Sequence, residues 1–347
     1  MKIIDMHCDT ISELADRGGG LWENDGQLDL KRMQESGYLL QNFALFVDIG
    51  KCAPWERVSE LYEVYRRELE NNKDVIAPVL CYEDILRNEA CGKMSALLTV
   101  EEGAVCGGSI ERLRELYGMG VRMLTLTWNY PNELGMPATR RCLGQSKGDG
   151  GFMKGLVQEK NGKCGAAGGA DVTGLTDAAC GLTKTGREFV AEMEHLGMIP
   201  DVSHLSDAGF DAVWECTKKP FVASHSNARA VCASLRNLTD DRIRRLAERG
   251  GCMGLNYYDK FLLDGGSEDP EILWEAIIRQ AKHITDVGGT EVLGLGSDFD
   301  GIPISPALPG AEVLTQLWER LKTAGFTESQ LDKIFWKNVL RVYQETL

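Results

Sequence analysis

Short apolar or β-branched runs recur along the chain, separated by longer stretches in which apolar positions return every three or four residues. The runs at residues 2–8, 43–47, 96–100, 122–127, 198–202, 221–224, 252–256 and 292–297 predict strands. Residues 58–71, 110–117, 185–196, 240–249 and 270–287 carry helical patterning between them. Strand followed by helix, repeated, implies parallel pairing. About eight such units in 347 residues predict closure into a (β/α)8 TIM-type barrel. The rival, an open doubly wound sheet, normally carries a G-x-G-x-x-G turn after its first strand, and none stands there.

Residues 130–182 break the rhythm. They are rich in Gly, Cys and small polar residues, as in Gly148-Asp149-Gly150-Gly151-Phe152. A segment of this length inside a compact domain is commonly functional. It would follow the fourth predicted strand, on the face where barrels keep their sites, as a lid or substrate-access loop; a solvent-exposed insertion is the alternative. No linker, repeat or low-complexity tract marks a second domain, so residues 1–347 read as a single barrel domain with one long insertion.

Composition narrows the function classes. The 38 Lys and Arg stand against 52 Asp and Glu, and the net charge of −14 argues against nonspecific nucleic-acid or anionic-membrane binding. No apolar run is long enough to span a bilayer, and the first strand begins too early to leave room for a leader. Eleven cysteines, an odd number with no C-x-x-C pair, read as reduced thiols in a cytoplasmic protein rather than a disulfide framework.

The candidate chemistry lies at strand ends. The first strand closes on His7-Cys8-Asp9, where alternation aims His7 and Asp9 at one point and turns Cys8 away into packing. Of the five histidines, His204 and His225 also close strands, the fifth and sixth, whereas His195 and His283 fall within helices as ordinary surface or packing residues. The third strand runs into Glu101-Glu102-Gly103 and the eighth into Asp298-Phe299-Asp300-Gly301. These ends share the rim on which barrels place catalytic residues. Three imidazoles with two or three carboxylates exceed the three protein ligands that one catalytic zinc usually takes. The surplus points to two metals bridged by a carboxylate, which can share a hydroxide and polarise a scissile carbonyl.

Together with Gly197-Met198, Asp201-Val202-Ser203-His204, Ser224-His225-Ser226-Asn227-Ala228-Arg229 and Arg236-Asn237, these segments resemble the membrane dipeptidase (renal dipeptidase) family, peptidase M19, of the amidohydrolase superfamily. The motifs run in order from residue 3 to about 301. The resemblance implies a binuclear metal-dependent hydrolase with two Zn2+ ions per chain. By position, His7 and Asp9 would bind one ion, His204 and His225 the other, and Glu101 would bridge them. Asp298 would be the acid/base, Arg236 would hold the substrate carboxylate, and Tyr258 would add a substrate contact. Neighbours compete for three of these roles: Glu102 with Glu101, Asp300 with Asp298, and Tyr257 with Tyr258.

The chain departs from the family after the fourth strand, where Leu126-Thr127-Trp128-Asn129 replaces a common Leu-Thr-His, and leaves Trp128 or Asn129 to contact substrate. The membrane attachment of the mammalian members is not expected to transfer. The expected activity is a zinc dipeptidase that hydrolyses dipeptides with a free C-terminal carboxylate through a metal-bridging hydroxide. The alternatives are an amidohydrolase acting on N-acyl amino acids or β-lactam-like amides, and a non-catalytic binding protein on the same barrel. The expected partner is a small peptide, with no nucleic acid and no membrane; a homodimer is allowed.

Overall fold

The computed structural model describes residues 1–139 and 181–347. Its strands are β1 (Ile3–Asp5), β2 (Tyr38–Phe46), β3 (Ile76–Pro78), β4 (Met94–Glu101), β5 (Val121–Thr125), β6 (Ile199–Asp201), β7 (Val222–Ala223), β8 (Cys252–Leu255) and β9 (Leu293–Leu295). All pair in parallel. Eight of them form a ring in the order β1, β2, β4, β5, β6, β7, β8, β9, which closes where Asp5 on β1 meets Leu295 on β9. The (β/α)8 architecture expected from the pattern is therefore present.

The ninth strand is the feature the pattern missed. β3 lies outside the ring and pairs only with Met94–Ala96 at the start of β4. Three residues ending in Pro78 give a weak strand signal, because proline lacks the ladder N–H and is confined to strand edges. The helix Tyr82–Ala90 after it was also not expected, whereas Pro54–Asn71, Ile110–Gly118, Lys184–Leu196, Asp240–Glu248 and Pro270–Gly288 match the helical patterning. The proposed lid, residues 130–182, lies largely outside the described residues. Among those described, no helix is long and apolar enough to cross a membrane.

Alternation along the strands divides the barrel into layers. Ile4, Leu97, Met123, Ile199, Val222 and Cys252 point inward and form one apolar cluster with Val339, Val342 and Tyr343 of the C-terminal helix, Asn338–Thr346. That helix plugs the N-terminal end of the barrel, and the Tyr343 hydroxyl donates to Asn42 Oδ1 at 2.7 Å. The intervening strand residues, such as Leu45, Leu98, Val100 and Leu124, pack outward against the helices. Each such side chain, fully buried, contributes about 1.5–3 kcal/mol.

Two steps toward the strand C-termini the inward positions become polar at Thr99, Thr125, Asp201 and Ser224, and two steps further on they are Glu101 and Asn256. Gly254 and Gly296 interrupt this layer for a steric reason. A Cβ at either would lie 1.9 or 1.8 Å from the carbonyl oxygen of Ser224, so the backbone of β7 can be seated only because β8 and its neighbour lack side chains there. Because that clash is with backbone, Gly254→Ala and Gly296→Ala should each lower stability by at least about 2 kcal/mol. A shift of the urea midpoint to lower concentration checks this; an unchanged midpoint contradicts it.

Candidate metal centre

The polar layer converges on a buried cluster at the C-terminal rim. Past Asp5 the first strand remains pinned: Asp9 N–H donates to the Phe299 carbonyl, and Ala44 N–H to that of Cys8. The expected alternation therefore persists through residue 9. Cys8 turns away and its thiol donates to the Asn42 carbonyl, whereas His7 Nε2 lies 3.4 Å from Asp9 Oδ2. Glu101 enters from β4. Its Oε2 lies 3.4 Å from His7 Nε2, while its Oε1 lies 2.8 Å from His204 Nε2 and 3.5 Å from His225 Nε2. The two oxygens of one carboxylate thus face two different donor sets.

The competing neighbours separate cleanly. Glu102, at φ 120°, turns out of the cluster and accepts from the backbone N–H groups of Ala104 and Trp128 and from the Asn132 amide. Strand alternation would put Asp298 and Asp300 on one face, but β9 ends at Leu295, both residues take left-handed backbone at φ 64° and 65°, and they point to different groups. Asp298 Oδ1 points to His7 Nε2 at 3.8 Å. Asp300 instead accepts from the Thr10 hydroxyl and from Gln27 N–H, which ties down the loop after the first helix. Tyr257 is fully buried against Phe299, and Tyr258 is half-buried against Phe261 with its N–H on Asn256 Oδ1. His195 is exposed and His283 pairs with Asp240, as expected of helix residues outside the site.

Several residues that the sequence reading passed over hold this cluster in place. Asn256 donates to Asp298 Oδ2 at 2.9 Å. Asp5 Oδ1 accepts from the N–H groups of His7 and Ser297, and Asp201 Oδ1 from those of Ser203 and Ser224. The same device is used twice: a strand-end Asp binds the N–H two residues ahead and one on the neighbouring strand. Its signal in the sequence is an acid inside an apolar run. Asn129, expected to contact substrate, has its Oδ1 3.2 Å from His204 Nδ1. Trp128 packs between Phe46 and Tyr130, 6.3 Å from the His204 ring.

Arg236 is the unpaired member. Its Nε, Nη1 and Nη2 are all buried without a hydrogen-bond partner, and its guanidinium lies over the Phe261 ring. Burial pushes its pKa down to about 10, against the pull of Asp298 and Glu101. An arginine fork with no hydrogen-bond partner, near Asp298 and Glu101, suits a planar anion.

The donor set fits divalent metal. Burial pushes the Glu101 carboxyl up to about 7 and also raises Asp298. His7 is held well above the ordinary imidazole range because Glu101 and Asp9 outweigh its burial, whereas burial keeps His204 and His225 well below it. Three buried carboxylates thus face three imidazoles and one arginine, a set whose charge a divalent cation would balance. His7 Nε2 and Asp9 Oδ1 are buried with no hydrogen-bond partner, and the His204 and His225 Nε2 atoms face each other at 3.0 Å. Tetrahedral ligands of a zinc ion stand about 3.4 Å apart, which the separations of 2.8–3.5 Å around Glu101 bracket. Three overlapping groups emerge: His7, Asp9 and Glu101; Glu101, His204 and His225; and His7, His225 and Asp298.

A parallel barrel that gathers imidazoles and carboxylates at the C-terminal ends of its strands is the framework of a metal-dependent hydrolase. The chain belongs to the membrane dipeptidase family, peptidase family M19, whose model matches residues 1–163 and 149–347. It is 31% identical over 251 residues to an uncharacterised protein in the pqqA 5′ region of Klebsiella pneumoniae, covering 72% of this chain and 82% of that one. It is also 31% identical over 294 residues to an uncharacterised dipeptidase of Schizosaccharomyces pombe, covering 83% of this chain and 62% of the yeast protein. The fold matches dipeptidase AC, a metallopeptidase of family M19, with a TM-score of 0.82 at 24% identity over 100% of this chain and 98% of that one. It matches equally a Rhodobacter sphaeroides metallopeptidase liganded with a phosphinate mimic of the dipeptide L-Ala-D-Ala, with a TM-score of 0.83 at 23% identity over 100% and 99%.

A ligand that binds only the folded state stabilises it by mass action, about 2.7 kcal/mol at a hundredfold excess over Kd. Dialysis against a chelator should therefore lower the thermal midpoint by several degrees, and added Zn2+ should restore it. Equal midpoints with and without chelator would contradict a metal bound in this cluster.

Proposed function

We propose that the protein is a binuclear zinc dipeptidase, folded as one hydrolase domain, that cleaves dipeptides with a free C-terminal carboxylate. His7 and Asp9 would hold one ion, His204 and His225 the other, with Glu101 shared. When bound, such ions polarise a carbonyl and make water acidic enough to act as a nucleophile near neutral pH. The observation that carries the substrate class is the unpaired Arg236 guanidinium, which a C-terminal carboxylate would satisfy with paired charge-assisted hydrogen bonds. The family and the L-Ala-D-Ala mimic held by the Rhodobacter protein support the same class and extend it to a D-residue at the C-terminal position.

In this reading the chain's own groups divide the work. Arg236 fixes one end of the substrate and so sets the scissile amide over the cluster, an effect of orientation. Asp298 Oδ2 is held by Asn256, which leaves Oδ1 to take a proton from the attacking water and return it to the leaving amine nitrogen. Trp128, packed between Phe46 and Tyr130 and 6.3 Å from the His204 ring, places an apolar surface beside the cluster.

Two variants test this. Asp298→Asn should keep its metal content and lose turnover by roughly 10²–10⁴-fold; near-normal kcat would remove Asp298 from the proton path. Arg236→Gln should raise KM for L,L and L,D dipeptides about 10–100-fold, the loss of roughly 1.5–3 kcal/mol from hydrogen bonds to a charged group. Dipeptide amides, which lack the carboxylate, should be poor substrates for both forms and equally so. If N-acyl amino acids were turned over and dipeptides were not, the amidohydrolase alternative would replace the dipeptidase reading.

A further inference from the structure

The hydrogen bonds behind His225 form a directed chain. Asp201 accepts five: from the Thr125 hydroxyl, from Ser203 N–H and hydroxyl, and from Ser224 N–H and hydroxyl. A carboxylate only accepts. The single Ser224 hydroxyl proton is therefore committed to Asp201 Oδ2, at 2.6 Å. Ser224 Oγ also lies 2.8 Å from His225 Nδ1, and with its proton spent it can only accept there. Ser203 repeats the logic on the backbone: its hydroxyl donates to Asp201 Oδ1 and its oxygen accepts from His225 N–H.

We infer that Asp201 and Ser224 act as a relay that locks His225 in its Nδ1–H tautomer, so that Nε2 presents a lone pair to the cluster before any ion arrives. Ser224 and Asp201 are thus positioning residues. The inference rests on the proposed ligand role of His225, and it deepens that reading. Second partners of this kind fix ring orientation and basicity, and their loss typically costs 10–100-fold in metal affinity.

The rest of the site shows why this ring is the one locked. His204 meets an Asn129 amide, which can present either oxygen or nitrogen and so accommodates both tautomers. A His204 Nε2–H has Glu101 Oε1 at 2.8 Å as its nearer acceptor and the His225 Nε2 lone pair at 3.0 Å as the other, so it tolerates a bare His225 Nε2. Ser224 is itself fixed from below, because its carbonyl occupies the space opened by Gly254 and Gly296.

The decisive experiment is long-range 1H–15N NMR of the metal-free, 15N-histidine-labelled protein, which reads the tautomer of each of the five histidines directly. His225 should be Nδ1–H in the wild-type chain. Ser224→Ala should release it to a mixture containing Nε2–H, and Zn2+ affinity, measured by competition with a chromophoric chelator, should fall roughly 10–100-fold. Nε2–H at His225 in the wild-type protein overturns the relay without any variant, as does a Ser224→Ala protein with unchanged tautomer and affinity. His225→Ala separates the underlying reading. If it binds Zn2+ as tightly as wild type, the ligand assignment is wrong and the relay loses its purpose, whatever tautomer the ring holds.

Discussion

Negative charge confined away from water is the constraint around which this molecule is arranged. Asp9, Glu101 and Asp298 are all buried, and each lies within 4 Å of the one nitrogen His7 Nε2. Carboxylates in such a place persist as anions only beside cations and donors. Arg236 stands near with a positive charge and the carboxylates hold His7 toward its charged form, while the hydroxyls and amides of the upper barrel supply the remaining donors. The apolar floor beneath, plugged by Val339, Val342 and Tyr343, keeps solvent from entering from the other end and diluting these interactions. The polarity gradient along the barrel axis is thus one feature with two halves, a dry support and a charged mouth.

The supports are built largely from backbone. Asp5 and Asp201 each tie together two adjacent strand ends by their N–H groups, so the ligand-bearing segments are held at fixed separations by main chain that side-chain motion does not disturb. Strain is admitted where direction must change abruptly. Glu102, Asp298 and Asp300 are the three non-glycine residues with positive φ among those described, and all flank the cluster. At Glu102 the turn sends one of two adjacent carboxylates inward and the other outward, a separation that extended chain would achieve less sharply.

Much of this was legible in the chain. The ring of eight strands and five helices could be read, and His7, Asp9, His204 and His225 stood out at strand ends, because alternation and strand ends are local properties of sequence; Glu101 was preferred to Glu102 by the family resemblance. What could not be read was non-local or irregular. β3 was hidden by its shortness and by Pro78. The Asp298 and Asp300 geometry was misjudged because alternation was carried past Leu295, where the strand stops. Asn129 was assigned to substrate from its position alone, whereas its contact with His204 depends on how two loops fold over one another. Asp201 looked like part of a motif, and its five hydrogen bonds come from three strands whose proximity only closure of the barrel creates.

That closure has a consequence for the order of events. The strand that carries His7 and Asp9 is the first in the chain, and its partner on one side, β9, is the last. Until β9 and the terminal helix have joined, β1 presents an unpaired edge, and the two halves of the acidic cluster lie on separate ends of an open sheet. The proposed ligand set, drawn from the ends of β1, β4, β6 and β7, contains no residue of β9, whereas Asp298 follows β9 and meets His7 only when the ring closes. Closure of the ring is thus the step that sets the carboxylate proposed to handle the proton beside the ligands.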